Sequence, residues 1–515
     1  MTPRNNRDID ALAPVRRNGS RRKSQRKNRL VAIAIVVALV IVLVAFGEFY
    51  LGKPTKPTTS TVTSSPKAST TSQPEIPTWR TAWGSAMAFA PFPATNVTIR
   101  VLTTLQGSGT AVRVRISNEF GNAPLLVGAA STGISVGGDA VVAGSQMPLT
   151  FSGLAYVTIP IGSSVVSDPV NMAVSFGETL ETSLYLPSTD KLTSHYYGQD
   201  TPITFYTRNN VGNVTADTTG ASFTGSNIYA ELVDAVDVFE PSGRPTIVAL
   251  GDSITDGFHS PLSWTSVLEA RIDSLPPSER SAVIPEAITA NTLTNVVPNY
   301  SAGGGGPSGE DRFSDDVTSL SDVKYLIVLL GTNDLFFGAT APEVIAGYQS
   351  LIQEAHKAGI TIIGATLTPR GGSDQYVRIP WNAQHQLALD QVNQWILTSH
   401  AFDDVVDLNR LLANIYNGSC QPDVMFPGYD STDHLHPNPA GQIVIGNAFP
   451  TADFGLPPTP IAQPAIGVTP TPGCDGNQGT PGITVPTTAP APVVTNAPPA
   501  VSTTLVPPLV QNSKN

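Results

Sequence analysis

The chain has 515 residues, of which 41% are hydrophobic and 13% charged, and its formal net charge is −11. The first 50 residues carry ten Lys or Arg and three acidic residues, whereas the remainder carries 19 basic and 37 acidic residues. This length predicts two or three domains. So acidic a main body argues against binding of nucleic acid or another polyanion.

An apolar run of 17 residues, LVAIAIVVALVIVLVAF at 30–46, follows directly on the basic stretch. Such a run is at the short end of what spans a bilayer, and the preceding positive charge places the N-terminus in the cytoplasm. We therefore predict a basic cytoplasmic segment at 1–29 and a transmembrane signal-anchor at 30–50. A cleaved secretory signal is the alternative, and in either case the rest of the chain is exported.

Two segments have compositions that cannot bury a core. Residues 51–78 are rich in Thr, Ser and Pro, which predicts a solvated stalk. Residues 451–515 are largely Pro, Thr, Ala and Val, which predicts a disordered tail. The two cysteines of the chain, Cys420 and Cys474, form a disulfide or remain two free thiols; an exported location favours the pair.

Between 79 and 242 the sequence consists of short alternating segments separated by Gly, Asn and Asp. This pattern predicts an antiparallel β-sandwich. The expected strands lie at 97–102, 112–116, 155–159, 172–176 and 182–186. Composition leaves three roles open for this domain: binding a sugar, bracing the next domain, or shaping its cleft.

Between 243 and 450 apolar strands alternate with amphipathic helices. Strands are predicted at 245–250, 295–300, 323–330, 360–367 and 404–408, and helices at 261–274, 341–358 and 382–399. Strands that alternate with helices predict a parallel sheet covered on both faces, in an α/β/α arrangement. In such a fold the ligand binds beyond the carboxyl ends of the strands.

Four polar motifs are placed at or near these predicted strand ends. Each by itself is consistent with an ordinary turn, loop or helix cap. In chain order they are GDSITDG at 251–257, NYSAGGGG at 299–306, GTND at 331–334 and DHLHPN at 433–438. Together and in this order, they resemble the four sequence blocks of the SGNH (GDSL-type) hydrolase/esterase family. The preceding β-rich segment resembles the subgroup that carries an N-terminal β-sandwich.

The resemblance implies a flavodoxin-like α/β/α sandwich and a carboxylic ester hydrolase that needs no cofactor. By position it places the nucleophile on Ser253 and the Asp-x-x-His pair on Asp433 and His436. It places the oxyanion donors on the backbone of Ser253, on Gly304 and on the side chain of Asn333.

Two of these assignments have close rivals. Gly303 competes with Gly304, because Ser301 and Gly305 depart from the usual pattern of the second block. His434 competes with His436, although the three-residue offset from Asp433 favours His436. The His-x-His pair also resembles a metal-ligand spacing, but His436 is better used as a base, so no metal is predicted.

The residue types suit ester hydrolysis. A serine hydroxyl is a weak nucleophile until a base accepts its proton, and an imidazole accepts protons near pH 7. A carboxylate on the far side of the imidazole fixes its tautomer and stabilises the imidazolium. Donors aimed at the oxyanion stabilise the tetrahedral intermediate.

We therefore expect a membrane-anchored extracytoplasmic serine esterase that removes short acyl groups, such as acetyl, from a carbohydrate through an acyl-enzyme. A lipase, lysophospholipase or acyltransferase acting on lipid is the first alternative. An inactive surface-binding protein is the second. The expected partners are the ester substrate and, through the N-terminal helix, the membrane; nucleic acid is not expected and the oligomeric state is left open.

Overall fold

The computed structural model describes residues 78–196, 202–240, 244–297, 305–373, 380–460 and 471–474. The predicted cytoplasmic segment and signal-anchor lie outside these ranges, as do nearly all of the stalk and most of the tail. Among the helices in the described ranges, none combines the length and apolar character needed to cross a bilayer.

The β-rich part begins at Thr78 and ends at Glu240. Its strands are β1 (Thr78–Gly84), β2 (Phe89–Thr104), β3 (Val112–Ser117), β4 (Leu125–Val127), β5 (Ala129–Gly137), β6 (Ala140–Val141), β7 (Met147–Pro148), β8 (Val157–Ile159), β9 (Ser164–Val166), β10 (Thr179–Tyr196), β11 (Thr204–Tyr206), β12 (Gly225–Asn227), β13 (Tyr229–Glu231) and β14 (Val233–Glu240). One sheet has the order β1-β14-β3-β9, and a larger one has the order β12-β11-β2-β10-β5-β6. The strand pairs are antiparallel, as predicted.

Side chains that alternate between the two faces of each strand form the apolar core between these sheets. Ile99 and Val101 on β2 and Leu184 and Leu186 on β10 are buried in one apolar cluster, as expected when every second side chain faces inward. The predicted strand at 172–176 is wrong: only an isolated bridge between Gly109 and Val174 forms there. The other four predicted segments contain or overlap β2, β3, β8 and β10.

The second part contains seven further strands and eight α-helices in the described ranges. The strands are β15 (Thr246–Gly251), β16 (Val283–Ala287), β17 (Val323–Leu329), β18 (Thr361–Ala365), β19 (Asp404–Val406), β20 (Ala413–Asn414) and β21 (Gln421–Met425). The helices are α1 (Ser253–Asp256), α2 (Trp264–Asp273), α3 (Gly309–Phe313), α4 (Thr332–Phe337), α5 (Ala341–Lys357), α6 (Ala383–Thr398), α7 (Leu408–Leu412) and α8 (Pro439–Ala448).

Five of these strands form a parallel sheet in the order β16-β15-β17-β18-β19. This is the flavodoxin-like order 2-1-3-4-5. The second strand is added on one side of the first strand and the later strands on the other side, so the strand order reverses between the first and third strands. The reversal therefore lies between β15 and β17, the strands that precede the first and third motifs. The prediction of an α/β/α fold is confirmed.

Both faces of the parallel sheet are covered by apolar side chains. Val248 and Leu250 on β15 belong to one cluster, whereas Ile247 and Ala249 belong to another on the opposite face. A strand buried on both faces needs an unbroken apolar run, and the sequence IVAL provides one.

The predicted strand at 295–300 is wrong where it is described, because residues 295–297 form bends. The sheet edge is occupied instead by β16, in which Pro285 lies beside Ala249 of β15. An edge strand tolerates a proline, since one side of its backbone makes no ladder bonds. The amides of Leu293 and Thr294 bond to the Asp334 carboxylate, which directs this segment away from the sheet.

Polar contacts join the β-rich part to the parallel-sheet part. Arg80 Nε lies 3.0 Å from Asp322 Oδ2, and Arg113 donates to Ser321 at 2.9 Å. The amide of Val283, at the start of β16, donates to Gln106 Oε1 at 2.7 Å. The boundary predicted between 242 and 243 stays a prediction, because residues 241–243 lie outside the described ranges.

Cys420 and Cys474 are joined in a disulfide, with Cα atoms 5.6 Å apart. The bond ties residues 471–474 to the parallel-sheet part, where Thr471 also donates its amide to the Ile415 carbonyl.

Candidate active site

Ser253 begins a short helix directly after β15, an inner strand of the parallel sheet. Asp252 caps this helix by accepting from the Ile254 amide at 3.0 Å. A side chain at Gly251 would collide with Thr255, so only glycine permits this turn. The turn leaves Ser253 at the carboxyl edge of the sheet, with 6% of its surface exposed.

His436 meets Ser253 from the loop that precedes α8. Its Nε2 lies 2.8 Å from the Ser253 hydroxyl oxygen, and its Nδ1 lies 2.6 Å from Asp433 Oδ2. The other carboxylate oxygen of Asp433 accepts the backbone amides of Leu435 and His436. The three-residue offset read from the sequence thus becomes a closed turn that aims the imidazole at the hydroxyl.

The electrostatics of the pair suit a neutral base beside a fixed anion. Burial lowers the pKa of His436 below its ordinary value, although the hydrogen bond and charge of Asp433 act in the opposite sense. Burial works against ionisation of Asp433, yet the hydrogen bonds from His436 and Leu435 hold its pKa well below the usual range. At neutral pH the imidazole is therefore uncharged and able to accept a proton.

Asn333 lies at the start of α4, which follows β17 through Gly331. Its side-chain Nδ2 donates to the Asn291 carbonyl at 2.9 Å, which fixes the plane of the amide. The predicted glycine donor Gly304 and its rival Gly303 lie outside the described residues. The oxyanion-hole prediction is therefore described only at Ser253 and Asn333.

Asp334, the last residue of the third motif, supports the site without joining it. It is fully buried and accepts from the amides of Leu293 and Thr294 and from the Thr294 hydroxyl at 2.7 to 2.8 Å. Burial raises its pKa to about 6 in spite of these bonds. Its contacts hold the loop at 293–294 in place.

His434, the rival of His436, makes a second Asp–His pair on the same loop. Its Nδ1 lies 2.6 Å from Asp430 Oδ2, and its side chain is 44% exposed. Its backbone φ is 60°, in the region that favours glycine. No described contact of His434 reaches Ser253, so it lies at the rim while His436 contacts the hydroxyl.

His259 is a third imidazole beside the pair. Its Nε2 lies 4.0 Å from Asp433 Oδ2, and its ring centre is 5.5 Å from that of His436. The donor atoms of His259, Asp433 and His436 all lie within 4.8 Å of one another, which is the one such group of three among the described residues. Because Asp433 and His436 already bond to each other at 2.6 Å, a metal here would have to displace that bond.

Asp256 links the helix that carries Ser253 to neighbouring segments. It is the last residue of α1, where Oδ2 accepts from the Thr289 hydroxyl at 2.8 Å and Oδ1 lies 3.7 Å from His195 Nε2. His195 belongs to β10, so the β-rich part contacts the helix that carries Ser253.

Arg370 was not predicted. It lies past the end of β18, is 3% exposed, and donates through Nη1 to the carbonyl and hydroxyl of Thr332 at 2.9 Å each. Its guanidinium stacks over Phe336 and Trp381. Burial lowers its pKa to about 10, while Asp252 and Asp433 act against that shift, so it is charged at neutral pH. The sequence could have indicated Arg370, because it follows an apolar strand. Polar residues in that position lie at the carboxyl edge of the sheet, where the ligand binds.

Asp252, below the nucleophile, is 1% exposed. Burial raises its pKa to about 7, although the Ile254 amide and the charge of Arg370 favour the ionised form.

The structure thus brings together Ser253, Asp433 and His436 and places Asn333 after the end of the adjacent strand. In this arrangement the imidazole can accept a proton from the hydroxyl while the carboxylate holds the ring in place.

The sequence profile of the GDSL-like lipase/acylhydrolase family matches residues 249–443, a range that contains all four of these residues. Solved structures of similar fold include a GDSL-like lipase from Bacteroides thetaiotaomicron, 17% identical with a TM-score of 0.30, which covers 40% of this chain and 85% of that chain. An acetylxylan esterase from Geobacillus stearothermophilus is also 17% identical with a TM-score of 0.30, and covers 42% of this chain and 97% of that chain. No curated protein matches the chain. Residues 249–443 therefore form a domain of the GDSL-like lipase/acylhydrolase family, whose fold and motifs are those of a carboxylic ester hydrolase.

Proposed function

We propose that this hydrolase is a serine esterase in which Ser253 is the nucleophile, His436 the general acid–base and Asp433 the orienting carboxylate. The observation that carries the proposal is the continuous line of contacts from the Ser253 hydroxyl through both nitrogens of His436 to Asp433, at 2.8 and 2.6 Å. Contacts of this length are within reach of direct proton transfer.

The proposed reaction has two halves. In the first, Ser253 attacks the ester carbonyl while His436 accepts its proton and then gives it to the leaving alcohol, which produces an acyl-enzyme. In the second, water attacks the acyl-enzyme while His436 accepts its proton; His436 then returns that proton to the Ser253 oxygen as the acyl bond breaks and the acid leaves. Asp433 stays ionised throughout and stabilises the imidazolium.

The negative charge of each tetrahedral intermediate falls on the former carbonyl oxygen. We propose that the backbone amide of Ser253, the amide of Gly304 and Nδ2 of Asn333 donate to it. The support is positional: Ser253 is the first and Asn333 the second residue of a helix, and the two helices follow neighbouring strands. The first backbone amides of a helix, such as that of Ser253, have no intrahelical acceptor. Each donor of this kind is typically worth about 3 kcal/mol of transition-state stabilisation.

For the substrate we propose short acyl esters, such as acetyl groups, on a carbohydrate. Ser253 is only 6% exposed, and the rings of Phe258 and His259 lie beside the catalytic imidazole. This recess favours a small acyl group at the nucleophile. The predicted export of the chain, anchored through residues 30–50, favours an acceptor outside the cytoplasm.

The decisive experiment compares Ser253→Ala with Ser274→Ala, which changes an exposed serine at the end of α2. A fluorophosphonate probe should label the wild type and Ser274→Ala but not Ser253→Ala. Hydrolysis of p-nitrophenyl acetate should follow the same pattern. Intact hydrolysis in the folded Ser253→Ala protein would overturn the mechanism.

Substrate length is tested separately, with p-nitrophenyl esters of rising chain length. A steep fall in kcat/KM beyond butyrate supports the short-acyl proposal. A rate that rises toward long chains would instead favour a lipase or lysophospholipase.

A further inference from the structure

The side chain of Asn291 lies fully buried in the turn that follows β16. Its Nδ2 donates to the carbonyls of Gly305 and Pro307, each at 2.6 Å. Its backbone carbonyl accepts Nδ2 of Asn333 at 2.9 Å. One residue therefore holds both the chain at 305–307 and the side chain of a proposed oxyanion donor.

The chemistry of the neighbours leaves the Asn291 side chain one orientation. Two carbonyl oxygens face one end of its amide, so that end must be the NH₂ group. The other end faces Nε of Arg312, which can only donate, at 3.1 Å. A side chain satisfied at both ends in this way has its plane and position determined by the surrounding structure.

Arg312, on α3, is 1% exposed and extends the same network to the nucleophile turn. Its Nη2 donates to the carbonyl of Gly251, two residues before Ser253, at 2.9 Å. Its Nη1 donates to the Glu286 carbonyl at 2.9 Å and to Asp316 Oδ2 at 2.7 Å. The guanidinium fork thus connects the end of β15, the end of β16 and Asn291.

The bond to Asn291 also decides where the Asn333 amide points. An amide NH₂ has two hydrogens in one plane. With one of them committed to the Asn291 carbonyl, the direction of the other is set before substrate binds. A donor held in advance stabilises developing charge without reorganisation in the transition state.

We propose that Asn291 is a positioning residue for oxyanion stabilisation, held in place by Arg312. The proposal rests on the proposed function, because it assumes that Asn333 donates to the oxyanion. None of the described contacts of Asn291 is with Ser253 or His436. Asn291 acts by orienting Asn333 and by holding the chain at 305–307.

The test is Asn291→Asp, a change of nearly equal shape that puts an oxygen against two carbonyl oxygens and removes both donors. The matched control is Asn295→Asp, the same change at an exposed position four residues later, where Nδ2 is 3.4 Å from Asp311. We expect kcat to fall by about 10²-fold in Asn291→Asp, with KM within about threefold of wild type. Asn295→Asp should match the wild type in both constants.

A second readout separates positioning from general destabilisation. A boronic acid that forms a tetrahedral adduct on Ser253 should lose affinity for Asn291→Asp by about the same factor as kcat/KM, since both depend on the oxyanion donors. If folded Asn291→Asp matches Asn295→Asp in kcat and boronate affinity, the proposal is overturned. Loss of kcat with unchanged boronate affinity also overturns it.

Arg312→Lys tests the same network if Asn291→Asp does not fold. The lysine keeps a positive charge opposite Asp316 but lacks the Nε donor to Asn291. We expect kcat and boronate affinity to fall together, by about tenfold. Unchanged values in folded Arg312→Lys would overturn the proposal. Ser253→Ala distinguishes this outcome from failure of the proposed function, because only the latter leaves hydrolysis intact in that variant.

Discussion

Two Asp–His pairs lie on the loop before α8, and they have the same bond geometry but different surroundings. In each pair the imidazole Nδ1 is 2.6 Å from a carboxylate oxygen. His436 is 4% exposed and its Nε2 contacts Ser253, whereas the side chain of His434 is 44% exposed at the rim.

If the proposed mechanism holds, the difference means that a carboxylate bonded to a histidine does not by itself make a catalytic group. Both carboxylates select the same imidazole tautomer, with the proton on Nδ1. Among the described residues, only the buried pair has a hydroxyl bonded to the other imidazole nitrogen. Burial lowers the pKa of His436, which keeps this imidazole neutral. In the proposed mechanism, these surroundings separate the general base His436 from the rim residue His434.

The sharpest test of this comparison is to remove each imidazole. We expect His436→Ala to lower kcat on p-nitrophenyl acetate on the order of 10⁶-fold, because the variant loses the base that contacts the Ser253 hydroxyl. We expect His434→Ala to change kcat by less than about threefold. Steady-state kinetics on both purified variants checks this, and a large loss in His434→Ala would reverse the assignment.

Removing the charge of Asp433 should lower the reaction rate, whereas removing that of Asp430 should lower the stability of the fold. Asp433→Asn should lower kcat by about 10⁴-fold, because an amide presents a hydrogen to Nδ1 and favours the wrong tautomer. Asp430→Asn should leave kcat near wild type but lower the free energy of unfolding by about 1–3 kcal/mol, since Asp430 also accepts the amides of Thr432 and His434. Kinetics and urea unfolding measure the two effects, and a rate loss in Asp430→Asn without unfolding would contradict the contrast.

Outside the pairs, the largest expected effect is at the proposed oxyanion donor. Asn333→Ala should lower kcat by about 10²–10³-fold with little change in KM, because the donor acts on the transition state. Asn295→Ala is the exposed control and should match the wild type. A rise in KM with unchanged kcat would mean that Asn333 binds substrate rather than the oxyanion.

The pH profile should show the smallest effect. The base must be neutral, so kcat/KM should fall with decreasing pH as His436 gains a proton. Its lowered pKa puts the midpoint of that limb below the ordinary histidine value of about 6.5. Asp433, whose pKa is depressed, should add no limb above it. His434→Ala should leave the midpoint unchanged, and a midpoint above neutrality would refute the burial argument.

Much of the fold could be predicted because the signals were local. The run IVAL, bounded by Gly251, predicted a strand buried on both faces, and β15 is one. The periodic segments at 341–358 and 382–399 became α5 and α6 with ends displaced by one residue. The edge strand β16 was missed because Pro285 and Glu286 interrupt its apolar pattern, and an edge position is not a property of the segment alone.

The sequence by itself determined which chemical groups this protein has available, since the four motifs carry Ser253, Asn333, Asp433 and His436 in order. The tertiary structure decided what these groups do, because Ser253 and His436 are 183 positions apart and meet only when the loop before α8 folds over the end of β15. Asn291, Arg312 and Arg370 belong to no motif. Their importance arises from burial and from partners contributed by other strands and helices, which no short stretch of sequence contains.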